Sequence, residues 1–159
     1  MQKAQTLVET LTKKKLKVTT AESCTGGLLA GAITDISGSS VVFEEGFITY
    51  SNAAKSALLG VDAKLIAAHG AVSEAVARAM AEGVRQKTGA DLAVAVTGIA
   101  GPTGGNAEKP VGLVFIATSA LDETLCSKNL FSGSRSAIRQ SAVDKALHQL
   151  LEMVGKKAN

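Results

Sequence analysis

Leu7, Val8 and Leu11 place apolar side chains on one face of a polar segment, so residues 1–14 are expected to form an amphipathic helix. A short β-like run over 17–21 follows. Leu28, Leu29, Ile33 and Ile36 then return to helical spacing as far as about residue 36. Ser37-Gly38-Ser39-Ser40 reads as a loop. Val41 to Tyr50 gathers β-branched and aromatic residues and is expected to be a strand. Two short helices come next, one over 52–59 capped by Asn52 and ended by Gly60, the other over about 63–68. Ser73 caps a stronger helix with Val76, Met80 and Val84 inward, stopped by Gly89.

Leu92-Ala93-Val94-Ala95-Val96 is apolar without alternation, the pattern of a strand buried on both faces. Residues 111–119 and about 123–131 read as two strands turning at Leu121-Asp122. The last helix, roughly 134–154, carries Ile138, Ala142, Ala146 and Leu150 as its stripe. Strands interleaved with helices predict an α/β fold. Its expected form is a three-layer α/β/α sandwich with a mainly parallel (mixed) central sheet, antiparallel at the 111–131 hairpin. With no repeat or linker in view, 1–159 is expected to form a single domain.

Composition narrows the function classes. Apolar residues make up 46% of the chain, but there is no Trp, one Tyr and four Phe, so Ala, Val, Leu and Ile must build the core. So few aromatics, with a net charge of only +3, argue against a nucleic-acid partner. No apolar run reaches membrane-span length and the first helix is not a signal peptide, so no membrane partner and a cytoplasmic location are expected. Cys24, Cys126, His69 and His148 show no metal-ligand spacing, so no metal is expected and a reducing setting is natural.

Ligands of open α/β sheets bind outside the carboxyl ends of the strands. Two stretches fall at such ends. Thr20-Ala21-Glu22-Ser23-Cys24-Thr25-Gly26-Gly27 turns from strand to helix and offers Ser23, Cys24 and Thr25 as nucleophiles or donors. Backbone N–H groups at Thr25, Gly26 and Gly27 would there face an anion. The plainer reading is a helix start with Ser23 or Thr25 as N-cap. Gly98, Gly101, Gly104 and Gly105 crowd a second loop whose main chain can approach a ligand closely, though a mobile surface loop has the same composition. It is neither a Walker A loop nor a dinucleotide fingerprint.

A serine nucleophile needs a base, and both histidines sit in turn or helix contexts remote from Ser23 in sequence. Lys55 is the alternative, presented with Tyr50 and Asn52 from one strand end. A lysine acts as a base only if burial or a neighbouring cation lowers its pKa; otherwise it is a solvated helix residue. Arg135 and Arg139 lie four apart at a helix start, where cations oppose the macrodipole, so both are expected to clamp an anion unless they are incidental surface residues.

Taken together, Thr19–Gly27, Gly46–Asn52 with Lys55, His69–Ser73, Thr97–Pro102 and Lys109–Gly112 closely resemble the CinA C-terminal domain family over about residues 4–152. The resemblance implies an amidohydrolase that converts nicotinamide mononucleotide to nicotinate mononucleotide and ammonia, with no cofactor. It implies Ser23 as nucleophile, Lys55 as base and Tyr50 hydrogen-bonding this pair or the substrate. Arg139, deeper in its helix, is preferred over Arg135 for the 5′-phosphate. Cys24 is the rival nucleophile. At Ser134 this chain departs from the Asp usual in the family. A homo-oligomer, guessed as a dimer, is expected. Two other readings stay open: a non-catalytic nucleotide-binding or regulatory module, and an amidase for another small phosphorylated carboxamide.

Overall fold

A computed structural model describes residues 1–156. The elements run α1 (Gln2–Lys14), β1 (Val18–Glu22), α2 (Leu28–Thr34), a 3-10 turn (Ser39–Val41), β2 (Phe43–Ile48), α3 (Asn52–Leu59) and α4 (Ala63–His69). They continue with α5 (Glu74–Thr88), β3 (Leu92–Gly98), β4 (Leu113–Ser119), β5 (Thr124–Leu130) and α6 (Arg135–Lys156). No helix among the described residues is long and apolar enough to cross a membrane.

The local chemistry explains most boundaries. Ser73 caps α5 by accepting from the Val76 N–H, and Gly89 ends it in the left-handed region at φ 70°. Two expectations change. Ser51, not Asn52, caps α3, its hydroxyl accepting from the Ala54 N–H. The expected strand from Val41 begins only at Phe43, because the Val41 and Val42 N–H groups bond back to Gly38 and Ser39 instead of joining a ladder. Where the sequence departs from the family at Ser134, its hydroxyl accepts from the Ala137 N–H and so begins α6.

One sheet has the order β2-β1-β3-β4-β5. The β1 strand pairs parallel with both β2 and β3, whereas β3–β4 and β4–β5 are antiparallel, so four of the five strands share one direction. The fold is the predicted α/β sandwich. On one face Leu92, Val94, Val96, Val114 and Ile116 pack with α1, α2 and α6. On the other, Ala21, Ala93, Ala95 and Ala117 meet Val76, Met80 and Val84 of α5. Alanines on that face let α5 sit close, and burial of the larger side chains opposite supplies stabilisation of about 25 cal/mol per Å².

The chain leaves β1 through α2 on one face to reach β2, and returns through α5 on the other to reach β3. The carboxyl end of β1 is therefore a topological switch point, where neighbouring loops part and leave a crevice.

Candidate active site

Ser23 is the first residue beyond β1. Its N–H donates to the Val96 carbonyl of β3 at 2.9 Å, which pins the turn to the sheet centre. Ser23 keeps 8% exposure. Lys55 reaches it from α3, where Lys55 and Leu59 form the inward face one turn apart. The Lys55 Nζ lies 3.2 Å from Ser23 Oγ and donates to the Thr49 carbonyl at 3.0 Å. At 1% exposure Lys55 is no solvated helix residue. Among the described residues no carboxylate forms an ion pair with it. Burial disfavours the ammonium and moves its pKa below the ordinary 10.5.

The turn after Ser23 is organised by a residue that the sequence reading passed over. Glu22, fully buried at the end of β1, accepts from the N–H groups of Gly27 at 3.1 Å, Leu29 at 3.0 Å and Ala30 at 2.8 Å. Its carboxylate does the capping that was assigned to Ser23 or Thr25, and it takes the place of an external anion. The only advance signal was an acid ending an otherwise uncharged buried strand.

Gly26 donates to the Ser23 carbonyl and Gly27 to Glu22, so neither N–H is available to a substrate as expected. Among the described residues the Thr25 N–H has no acceptor, whereas the Cys24 N–H is directed at its own sulfur. The Thr25 hydroxyl is buried and likewise unpartnered.

Both arginines at the start of α6 reach this region, and both bond carbonyls. Arg139 donates from Nε to the Cys24 carbonyl at 3.0 Å and from Nη2 to the Thr25 carbonyl at 3.1 Å. Two donors of Arg139, the residue preferred for the 5′-phosphate, are thus engaged by carbonyls of the turn after Ser23. Arg135 donates from Nη1 to the Gly101 carbonyl at 2.8 Å and from Nη2 to the Tyr50 hydroxyl at 2.9 Å. Tyr50, 60% exposed, bonds Arg135 rather than Ser23 or Lys55. Arg135 links loops that follow β2 and β3, the two neighbours of β1.

The glycine loop owes much of its composition to packing. A Cβ at Gly98 would come within 2.6 Å of the Val114 side chain, one at Gly105 within 2.6 Å of the Val111 nitrogen, and one at Gly101 would collide with the Val111 side chain. Gly104, at φ 90°, has no close neighbour and needs glycine for its backbone alone. Asn52 is exposed and lines the groove between α3 and α4 with Ala53, Ser56 and Ile66. His148 pairs with Glu152 at 3.6 Å, and the carbonyl of exposed His69 accepts from Lys109, so neither ring bonds Ser23. Burial pushes the Cys24 thiol up to about 11, which keeps it protonated at neutral pH and weakens it as a nucleophile.

The model of the CinA C-terminal domain matches residues 1–154. The chain is 56% identical over 135 residues to the nicotinamide-nucleotide amidohydrolase PncC of Enterobacter agglomerans, covering 84% of this chain and 82% of that protein. It is 53% identical over 141 residues to a CinA-like protein of Syntrophus aciditrophicus, covering 88% of this chain but 34% of that protein. The chain thus spans about a third of the length of such longer relatives. The crystal structure of competence/damage inducible protein CihA from Agrobacterium tumefaciens superposes with a TM-score of 0.94 at 47% identity, covering 95% of this chain and 93% of that one.

Proposed function

The chain belongs to the CinA C-terminal domain family, and from that premise we propose that it hydrolyses the carboxamide of nicotinamide mononucleotide to nicotinate mononucleotide and ammonia. Relatives that bear the name nicotinamide-nucleotide amidohydrolase, at 49% and 56% identity, support the reaction class. The single observation that carries the mechanism is the buried Lys55 amine 3.2 Å from the Ser23 hydroxyl.

In the proposed course, neutral Lys55 takes the hydroxyl proton as Ser23 Oγ bonds to the carboxamide carbon. The resulting Lys55 ammonium passes that proton to the departing nitrogen, the C–N bond breaks and ammonia leaves. Water then attacks the Ser23 ester and gives a proton to Lys55. The C–O bond to Ser23 breaks, Lys55 reprotonates the serine, and the nicotinate product ionises. Negative charge develops on the former carboxamide oxygen in both steps. The Thr25 N–H, which has no acceptor among the described residues, is the donor suited to it, a contact worth about 3 kcal/mol in hydrolases of this kind.

Arg135 is the cation we assign to the 5′-phosphate. Its present acceptors are a phenol and a carbonyl, and both are weaker partners for a guanidinium than a phosphate. Ammonia release measured with nicotinamide mononucleotide, its riboside and free nicotinamide tests the proposal. Release from the mononucleotide above the other two is expected. No release from any of the three rules out the enzyme, and equal release from the riboside rules out a phosphate site.

A further inference from the structure

Arg139 lies 115 residues from Cys24 in sequence, yet its guanidinium spans two successive carbonyls of the nucleophile turn. The Cys24 carbonyl and the Thr25 N–H belong to one peptide group. A cation bonded to that oxygen draws electron density through the amide and strengthens the N–H as a donor on its far side. That N–H has no acceptor among the described residues. From beneath, the Glu22 carboxylate fixes the same turn through Gly27, Leu29 and Ala30. The clasp is close-fitting: a Cβ at Gly26 would come within 3.2 Å of Arg139 Nη2.

We infer that Arg139 is a positioning residue for acyl transfer: it locks and polarises the Cys24–Thr25 peptide so that its N–H stabilises the developing oxyanion. The inference rests on the serine-hydrolase reading above. It also explains why an arginine sits where helix-dipole logic disfavours one, since its partners are carbonyl oxygens rather than a bound anion. A planar fork can hold both carbonyls at once; a lysine can satisfy only one at full strength.

Steady-state ammonia release from nicotinamide mononucleotide and its riboside by wild type, Arg139→Gln and Arg139→Lys tests this. Arg139→Gln is expected to lose about tenfold to a hundredfold in kcat, with little change in KM and the same proportional loss on both substrates. The pH at which the rate rises should stay put, because Lys55 is untouched, and Arg139→Lys should recover part of the loss. A raised KM for the mononucleotide alone, at unchanged kcat, would instead make Arg139 a phosphate ligand and overturn the inference.

A second measurement separates this idea from the choice of substrate. Phenylmethylsulfonyl fluoride sulfonylates an activated serine as fluoride leaves and the hydroxyl proton passes to the base. Mass spectrometry should find Ser23 modified in wild type and modified more slowly in folded Arg139→Gln. Equal rates overturn the role of Arg139. A wild type labelled at Ser23 but inert toward the mononucleotide overturns only the substrate, and one neither labelled nor active overturns both.

Discussion

The amine of Lys55 meets the hydroxyl of Ser23 at 3.2 Å inside the protein, with Thr49 supplying the lysine's other acceptor, a neutral carbonyl. A charged ammonium in this position is poorly compensated, so burial lowers the Lys55 pKa below its ordinary 10.5, the direction a general base needs. Ser23→Ala and Lys55→Ala should each lose about 10³-fold or more in kcat for ammonia release. Ser23→Ala should keep the native circular dichroism spectrum; Lys55 packs the inward face of α3 and bonds the Thr49 carbonyl, so Lys55→Met, which keeps its volume, is the inactive variant expected to keep it too.

The same burial sets a pH dependence. The folded-state pKa of Lys55 is lowered, so between that value and its ordinary 10.5 the unfolded chain holds more protons than the folded one. Stability must therefore rise with pH across this window, and activity must rise as the amine deprotonates. Lys55→Met, which keeps volume and removes the charge, should be more stable than wild type near neutral pH. Urea midpoints compared from about pH 7 to about pH 10 should show that advantage shrinking as pH rises.

Cys24 stands next to Ser23, but its thiol is raised to about 11 and packed into the core. Cys24→Ala should retain activity within a few-fold, while iodoacetamide at about pH 8 should alkylate the native protein slowly. Loss of turnover in Cys24→Ala with activity kept in Ser23→Ala would reverse the assignment of the nucleophile.

Glu22 ties three N–H groups of the nucleophile turn to the end of β1. Glu22→Ala would leave the buried Leu29 N–H and the half-buried Gly27 and Ala30 N–H groups without that acceptor, at a cost of about 1–3 kcal/mol for each one that stays unsatisfied. Thermal unfolding should show a large drop in midpoint, and Glu22→Gln, which keeps one acceptor oxygen, should fall between the two.

Arg135 and Arg139 separate by substrate. Arg135→Ala should raise KM for nicotinamide mononucleotide about tenfold or more while leaving the riboside unchanged. Tyr50→Phe removes only the acceptor at Arg135 Nη2 and should have a much smaller effect in the same assay.

Periodicity was enough for the layers. Every helix and strand of the sandwich was legible because helical spacing in α1, α5 and α6 and the apolar run of β3 are local signals. The start of β2 was misjudged because the β-branched pair Val41-Val42 favours a strand, whereas Gly38 allows a 3-10 turn to claim their N–H groups first. Family motifs brought Ser23 and Lys55 together on paper, but lysine burial is a property of the packed molecule: α3 turns its Lys55–Leu59 face inward only because α5 and the sheet lie there.

The sequence by itself determined the architecture and the chemical inventory at the carboxyl edge of the sheet. Tertiary structure alone decided how that inventory is spent. Glu22, Arg139 and the turn after Ser23 satisfy one another across more than a hundred residues, which leaves the Thr25 N–H without an acceptor among the described residues and Arg135 joining the loops that follow β2 and β3. Hydrogen bonds between distant residues have no period in the sequence. Only once the chain is folded is it settled which donors are consumed and which remain.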